Sequence, residues 1–427
     1  MNKNYINYSD LPEEIQFEDE FKDIFYKMEY SKENMFVTGK AGSGKTTLLE
    51  YFRINSSKNF IILASTGISA IKAKGKTIHS FFLFPPRILI NEKIQKLRGK
   101  VINNVETILI DECSMIRSDV LDGIDQSLKF NRNNEKPFGG VQIILLGDIH
   151  QLPPVVRENE QDIFDNFYPY GHYFFHANCF QQSNIKKYEL KKVYRQKDLI
   201  FLDILNNIRI GNINEQNLQI LNERVINNDL NVPSETIILS PTNRKVDVIN
   251  RHNLEKLNQK LFSYLSTETG DFKEKPADEI LQLKIGAQVM LIKNDIKSPK
   301  RWVNGSIGVV TELSRDSIKL RIKNKIHKII QDTWEKFNYR IQDNQVVHEV
   351  TATFTQYPIK LAWAVTIHKS QGQTFENVIL NLDTGSFAHG QTYVALSRVV
   401  SLEGLYLTRK IKMSDVIFNQ NLQEYLV

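Results

Sequence analysis

Gly39-Lys40-Ala41-Gly42-Ser43-Gly44-Lys45-Thr46 is the stretch whose reading decides the fold of this chain. It matches G-x-x-x-x-G-K-[ST], and its surroundings matter as much as its letters. The apolar run Met35-Phe36-Val37-Thr38 before it predicts a buried strand, and Thr47-Leu48-Leu49-Glu50-Tyr51-Phe52 after it predicts a helix. A strand–loop–helix of this kind turns successive backbone N–H groups toward phosphate oxygens, and the helix N-terminus adds partial positive charge. Gly39, Ala41, Gly42, Ser43, Gly44, Lys45, Thr46 and Thr47 are the candidate nucleotide-binding residues. Lys45 is suited to the β- and γ-phosphates, and the Thr46 hydroxyl to a magnesium ion.

Outward from the loop, the partner of that site is Ile108-Leu109-Ile110-Asp111-Glu112, an apolar strand that ends in two acids. Asp111 is the candidate magnesium ligand, and Glu112 the candidate for orienting or activating the attacking water. Phe60–Leu63 and Val141–Leu146 are two more short apolar runs, so the pattern from Asn34 to about Lys187 is α/β with a parallel sheet. The pattern restarts at Thr236–Leu239, Leu361–Val365 and Val378–Asn381. Between these, over about 266–358, the character changes. Ile318, Leu320 and Ile322 alternate with Lys319, Arg321 and Lys323, the pattern of a half-exposed antiparallel strand, and Gly286, Gly305 and Gly308 punctuate the region. A small β-rich insertion in a second α/β domain is expected.

A chain of 427 residues exceeds one ordinary core. It has no run of about 18 apolar residues, so a membrane span is not expected. The acidic first twenty residues lack the apolar core of a secretory signal. Two cysteines make no disulfide framework, and a reducing, cytoplasmic setting is expected. The net charge of +6 is unevenly spread. Residues 1–35 hold nine acids against four lysines, whereas residues 284–328 hold eleven Lys/Arg against three acids. An anionic partner would be drawn to the second region, although a solvated strand face explains the same run equally well. His172, His176 and Cys179 have a spacing that suggests zinc, but no fourth ligand is near, and Tyr173-Phe174-Phe175 points to a buried apolar segment instead.

Beyond the acidic strand lie the parts that would couple hydrolysis to motion. Gly147-Asp148-Ile149-His150-Gln151-Leu152-Pro153-Pro154-Val155 offers Gln151, a neutral amide able to sense a γ-phosphate, followed by two stiffening prolines. Tyr194-Arg195-Gln196 and Tyr393-Val394-Ala395-Leu396-Ser397-Arg398 each offer an arginine, the side chain suited to charge on a transferring phosphoryl group.

In this order the motifs resemble superfamily 1 helicases, and more closely the petite-integration-frequency (PIF) helicases. The stretches that carry the resemblance are GKAGSGKT (39–46), ASTGISA (64–70), TIHSFF (77–82), LIDECSM (109–115), GDIHQLPPV (147–155), VYRQ (193–196), SPTN (240–243), TIHKSQGQT (366–374) and YVALSRV (393–399). Leu121-Asp122-Gly123-Ile124-Asp125 with Lys136-Pro137-Phe138-Gly139-Gly140-Val141-Gln142 resembles the signature that separates this family from its RecD-like relatives. The resemblance covers about residues 34–410.

It implies two RecA-like motor domains that bind ATP and magnesium in the cleft between them, with single-stranded DNA as a 5′→3′ track. The expected boundaries are 1–187 for the first domain, with a short wedge-like insertion at about 84–103, and 188–265 plus 359–427 for the second. An SH3-like β-barrel over 266–358 would be inserted in the second. Carried over by position, Lys45, Thr46, Asp111, Glu112, Gln151, Arg195 and Arg398 match ATP-site residues, with Gly372 where the second domain closes on nucleotide. Among relatives an upstream glutamine reads adenine; the only upstream candidate here is Gln16, at long spacing. A bare motor without a long extension is expected, a monomer acting on forked or structured DNA, with no membrane role and no protein partner indicated.

A motor must hold a sugar–phosphate chain without reading its sequence, using hydroxyls, amides, loop N–H groups and a ring that stacks on a base. Ser65, Thr66, Gly67, His79 and Phe81 fit that need in the first domain. Thr242, Asn243, Thr366, His368, Lys369 and Ser370 fit it in the second. Each Ser or Thr taken singly is more often a helix cap or a turn residue. The Thr-Ile-His triplet, found once per domain, favours DNA contact for His79 and His368. A DNA-driven motor therefore stands against a nucleotide-gated DNA remodeller that does not unwind, and against a kinase or GTPase.

Overall fold

The computed structural model describes residues 19–422, apart from 86, 91, 98, 157–159, 195–197, 228–229, 273–274, 296, 298–300, 343–344, 383–384, 387 and 420–421. The described chain forms two compact units. The first runs to Ile149, resumes over Pro153–Tyr194 and includes Lys336–Val350; the second takes His150–Leu152, the chain after Tyr194 to Glu335, and the chain from Thr351 on.

The first unit begins with α1 (Asp19–Tyr30), β1 (Met35–Gly39), α2 (Lys45–Asn55), β2 (Phe60–Ala64), α3 (Gly67–Lys72), β3 (Lys76–Thr77) and α4 (Ile78–Phe82). It continues with α5 (Gly99–Asn104), β4 (Thr107–Asp111), α6 (Ser118–Arg132), β5 (Gln142–Leu146), α7 (Gln161–Phe167), α8 (Asn178–Gln182) and β6 (Lys186–Leu190). Its strands form one sheet in the order β3-β2-β4-β5-β1-β6, parallel throughout. The short apolar runs of the sequence become β1, β2, β4 and β5, buried on both faces as parallel strands require. On one face, Phe21, Ile24 and Met28 of α1 and Leu48, Leu49 and Phe52 of α2 pack onto Met35, Val37, Ile62, Leu109 and Ile144. Parallel order puts the carboxyl ends of β1, β4 and β5 on one edge, where open α/β sheets bind ligands.

α6 covers other segments of the first unit through its acids and amides. Asp119 accepts from the Leu89 N–H (2.9 Å), and the Asn131 side chain holds Leu97 N–H and the Gln95 carbonyl. These bonds dock the described part of the 84–103 stretch on the helix. Gly123 makes room for it, because a Cβ there would stand 3.1 Å from Leu89 Cδ1 and 3.2 Å from Phe84 Cζ. Asp122 and Asp125 point to other partners: Tyr168, Asn178 and Cys179 for the first, the Phe138 N–H for the second.

The second unit contains α9 (Leu199–Arg209), α10 (Glu215–Asn222), β7 (Ile237–Ser240), α11 (Asn243–Lys256), β8 (Phe262–Leu265), β9 (Thr267–Thr269), β10 (Ile280–Leu283) and β11 (Gln288–Leu291). Then come β12 (Ile307–Ser314), β13 (Ser317–Ile322), β14 (Lys325–Ile329), the long strands β15 (Asp332–Gln342) and β16 (Gln345–Gln356), whose Lys336–Val350 portion counts with the first unit, and β17 (Ile359–Leu361). β18 (Ala364–Thr366), β19 (Val378–Leu380), α12 (Gln391–Leu396) and β20 (Leu405–Leu407) complete it. A parallel sheet runs β18-β7-β19-β20, and an antiparallel one β14-β13-β12-β11-β17. β18 pairs directly with β7, so the antiparallel strands are an excursion from the parallel sheet.

Two expectations are refined. Leu361–Val365 is not one strand. Leu361 ends β17, Ala364 opens β18, and between them the Ala362 carbonyl accepts from Gln288 Nε2 (2.9 Å) while the Trp363 carbonyl accepts from Ile238 N–H (2.8 Å). Both carbonyls thus keep a partner as the chain changes sheets. The alternation in β13 is as read: Ile318, Leu320 and Ile322 are buried with Trp302 and Val310 in one core. The basic run around it, however, is partly ion-paired. Lys293, Arg301, Lys319, Arg321 and Lys323 face Asp332, Asp295, Glu312, Glu235 and Glu376. Much of the basic run is thus spent inside the unit.

Candidate functional site

The phosphate loop has the conformation its glycines permit. Gly42 (φ 83°) and Gly44 (φ 94°) lie in the left-handed region, where other residues are strained. Gly44 caps α2, so Lys45 starts the helix. A Cβ on Gly39 would sit 2.5 Å from Ser43 Oγ and 2.7 Å from the Leu190 carbonyl. Lys45 Nζ donates to the Gly39 (2.6 Å) and Lys40 (3.0 Å) carbonyls, holding the ammonium over the loop. Thr46 is exposed on the first turn; Thr47 is half-buried, and Ala41 and Ser43 are buried.

Asp111 ends β4, with β5 between it and β1. It accepts from the Glu112 N–H (3.0 Å). Burial, and then the Glu112 charge, push its carboxyl up to about 7. Glu112 itself takes φ 53°, an uncommon conformation for a non-glycine residue and one met at functional turns. A desolvated carboxylate, a second acid and an exposed threonine hydroxyl on the loop helix are hard oxygen donors suited to magnesium. The chain's own residues therefore fit a magnesium nucleotide.

Gly147 explains why the acidic turn and the end of β5 can coexist. A Cβ there would lie 2.7 Å from Cys113 Sγ and 3.0 Å from Cys113 N. Asp148 beside it is fully buried. Tyr194 is a contributor that the sequence reading passed over in favour of its neighbour Arg195. Its N–H donates to the Gly42 carbonyl (2.9 Å), and its ring lies 3.8 Å from where a Gly44 Cβ would be. An aromatic beside an arginine is too common a pair to have flagged this in advance. Arg195 lies outside the described residues, as does Gln16.

In the second unit, Gln151 is buried and accepts from Gln371 Nε2 (2.8 Å) through its Oε1. Arg398 is 1% exposed. Its guanidinium donates to the Val394 carbonyl (2.7 Å), the Ser397 hydroxyl (2.6 Å), and the Ser370 and Gln373 carbonyls. It thus ties α12 to the 366–374 motif, and Gly372 (φ 72°) makes the turn inside that motif.

The candidate DNA residues show a repeat that spacing alone only hinted at. In the first unit Thr77 ends the edge strand β3, with Ile78 buried and His79 half-buried after it. In the second, Thr366 ends the edge strand β18, with Ile367 buried and His368 half-buried. The neighbouring strand supplies the other group each time: β2 leads to Ser65-Thr66-Gly67, and β7 to Thr242 and Asn243, both exposed. Burial holds both histidines below their usual range, so they are neutral at pH 7. Phe81 packs edge-on against Phe82, and Lys369 is exposed.

Some hydroxyls have structural duties as well. Thr66 and Thr77 cap α3 and α4, Thr366 accepts from Lys369 N–H (3.2 Å), and the buried Ser370 donates to the Ile367 carbonyl (2.7 Å). The His172/His176/Cys179 group is built into aromatic packing. His172 stacks on Tyr173, His176 lies edge-on to Tyr173 and Phe175, and Cys179 N–H donates to Asp122. Among the described residues, no helix is long and apolar enough to cross a membrane.

The chain is similar to known proteins along most of its length. Residues 16–219 match the family model described as PIF1-like helicase, and residues 273–313 that of the 2B domain of DNA helicase Pif1. The chain is 33% identical to an ATP-dependent DNA helicase Pif1 of Bdellovibrio bacteriovorus, over 88% of this chain and 84% of that one. It is 31% identical to a protein of the same name from Campylobacter jejuni, over 93% and 94% of the two chains. The crystal structure of Pif1 from Bacteroides sp in complex with ADP-AlF4 superposes with a TM-score of 0.88 at 37% identity, covering 96% of each chain.

Proposed function

The chain belongs to the PIF1-like helicase family, and from that premise we propose that it is an ATP-dependent DNA helicase that moves 5′→3′ on single-stranded DNA and unwinds forked or structured duplexes. The observation that carries the reading is the pairing of one complete phosphate loop and acidic turn with Thr-Ile-His at the edge strand of both parallel sheets. A kinase or GTPase has no use for the second set.

The roles follow from the chemistry of the side chains. The loop N–H groups and Lys45 bind the phosphates, and Thr46 and Asp111 would hold magnesium. When bound, that ion neutralises phosphate charge. Glu112 orients the attacking water, and Gln151, Arg195 and Arg398 are assigned to the γ-phosphate. In the described structure Arg398 donates to carbonyls of its own unit, so that role requires it to exchange some of those bonds. DNA is held by Ser65, Thr66, Gly67, His79, Phe81, Thr242, Asn243, Thr366, His368, Lys369 and Ser370, without base-specific contacts. The 266–358 segment is assigned an SH3-like barrel, 84–103 a short wedge, and the remainder two RecA-like motor domains bounded at 187/188. The enzyme is proposed to act as a monomer on chromosomal DNA in the cytoplasm, in repair, recombination or replication.

The test is unwinding of duplexes carrying a 5′ tail, a 3′ tail or none, with ATPase rates measured with and without single-stranded DNA. Unwinding that requires the 5′ tail and an ATPase stimulated by DNA are expected. Lys45→Ala should abolish both. A preference for the 3′ tail rejects the polarity, and an ATPase indifferent to DNA rejects the motor.

A further inference from the structure

The last described segment of the chain folds back onto His150, the neighbour of the residue assigned to sense the γ-phosphate. Arg409 grips Asp415 with both arms of its guanidinium (2.7 and 2.8 Å) and also donates to the Leu382 carbonyl. Lys412 N–H donates to the same carboxylate (2.8 Å), and the Asp415 carbonyl accepts from the Thr392 hydroxyl on α12. This hook delivers Ile417–Asn419 to the turn before α12. There Gly390 N–H donates to the Ile417 carbonyl (3.2 Å), and Asn419 N–H to His389 Nδ1 (3.1 Å).

Phe418 stands between those two anchors. Its ring is nearly parallel to that of His150 (centroids 6.2 Å, planes 16° apart) and edge-on to that of His389 (5.6 Å, 65°). It also lies on Gly211 (φ 70°), where a Cβ would be 2.5 Å from Phe418 Cγ. Gly390 meets His150 and Gln151 by their backbone: a Cβ on it would be 2.3 Å from the His150 carbonyl and 2.6 Å from that of Gln151. His150 is therefore flanked twice, its carbonyl close against Gly390 and its ring beside that of Phe418. The next residue is Gln151, whose amide is aligned by Gln371.

We propose that Phe418 is a positioning residue for ATP hydrolysis: the C-terminal segment latches His150 and so sets where Gln151 presents its amide. This rests on the reading of Gln151 as the γ-phosphate sensor. The latch is fastened by the Arg409–Asp415 pair and seated by two glycines, neither of which leaves room for a side chain. A small displacement of a group that acts on a reacting phosphate is enough to slow turnover.

The experiment compares wild type, Gln151→Ala, Phe418→Ala, Phe418→Leu and Phe418→Tyr in the full chain. It reads DNA-stimulated kcat, the DNA concentration for half-stimulation, single-stranded DNA affinity and thermal midpoint. Losing one aromatic contact should lower stimulated kcat in Phe418→Ala by roughly threefold to tenfold. DNA affinity and half-stimulation should stay at wild-type values. Phe418→Tyr, which keeps the ring, should restore the rate, and Phe418→Leu, which keeps bulk without the ring, should not. In Phe418→Ala/Gln151→Ala the rate should be no lower than in Gln151→Ala alone, because both act through one amide. If Phe418→Ala fails to fold, Phe418→Leu carries the test. Wild-type kcat in Phe418→Leu, or losses that multiply in the double variant, overturns the latch. A wild-type rate in Gln151→Ala instead rejects the sensor reading beneath it.

Discussion

At the scale of the residue, the candidate DNA site divides into groups that bring charge and groups that do not. Lys369 is exposed on the 366–374 motif. His79 and His368 are half-buried, and burial holds them neutral. A phosphate contact made by a cation releases counterions, whereas a stacked neutral ring does not. Lys369→Ala should therefore flatten the dependence of log affinity on log salt by about 0.7 for single-stranded DNA. His368→Ala should weaken binding by roughly 1 to 3 kcal/mol at every salt concentration and leave the slope unchanged. Fluorescence anisotropy across a salt series separates the two, and a slope change in His368→Ala would show that the ring is charged when bound. The identities of these residues were legible in the sequence. The positive φ of Glu112 and the inward folding of Arg398 were not; the Arg398 bonds run to Ser370 and Gln373, distant in the chain.

At the scale of the element, α6 shows what a family signature can do physically. Three of its acids face three different segments. The central one, Asp122, accepts from Tyr168 OH (2.9 Å), Asn178 N–H (3.1 Å), Asn178 Nδ2 (3.0 Å) and Cys179 N–H (2.8 Å) while 6% exposed. Removing the carboxylate would leave several buried donors without a partner, a cost beyond that of the bonds themselves. Asp122→Ala should destabilise the first unit by about 3 kcal/mol or more. Denaturant unfolding followed by probes in that unit checks this, and a loss below about 1 kcal/mol would mean that water replaces the carboxylate. The sequence marked this helix as distinctive, but which segment each acid holds became visible only in the fold. Strand β6 lacks a continuous apolar run, with Lys186, Lys187 and Glu189 alternating around Tyr188, and only its pairing with β1 identifies it.

At the scale of the whole molecule, ionisable groups set how stability responds to acid. Arg301 holds the Asp295 carboxyl well below its ordinary range. Burial would raise Asp415, but Arg409 and the Lys412 N–H bring it below that range. For such carboxylates the unfolded chain takes up protons first, so their stabilisation is complete above the unfolded pKa of about 4 and is lost as pH falls through the folded values. Between pH 7 and 5 two sets oppose each other. Burial keeps His79, His172, His176 and His368 neutral, which costs stability as pH falls below about 6.5. Asp111, raised to about 7 chiefly by burial, gains stability over the same interval. Thermal midpoints should thus change little from pH 7 to 5 and fall steeply below about 4. A midpoint that holds at pH 3 would contradict the ion-pair account. By itself the sequence determined the chemistry: local motifs specify a phosphate loop, an acidic strand end and a repeated Thr-Ile-His, because each needs only neighbours within a few residues. Only the tertiary structure decided what surrounds the phosphate loop at Gly39–Thr46. It placed Leu190 and Tyr194 against the loop, set β5 between β1 and β4, spent much of the basic run on ion pairs and brought Phe418 to His150. Those contacts join residues far apart in the chain, and close packing selects them rather than any local pattern.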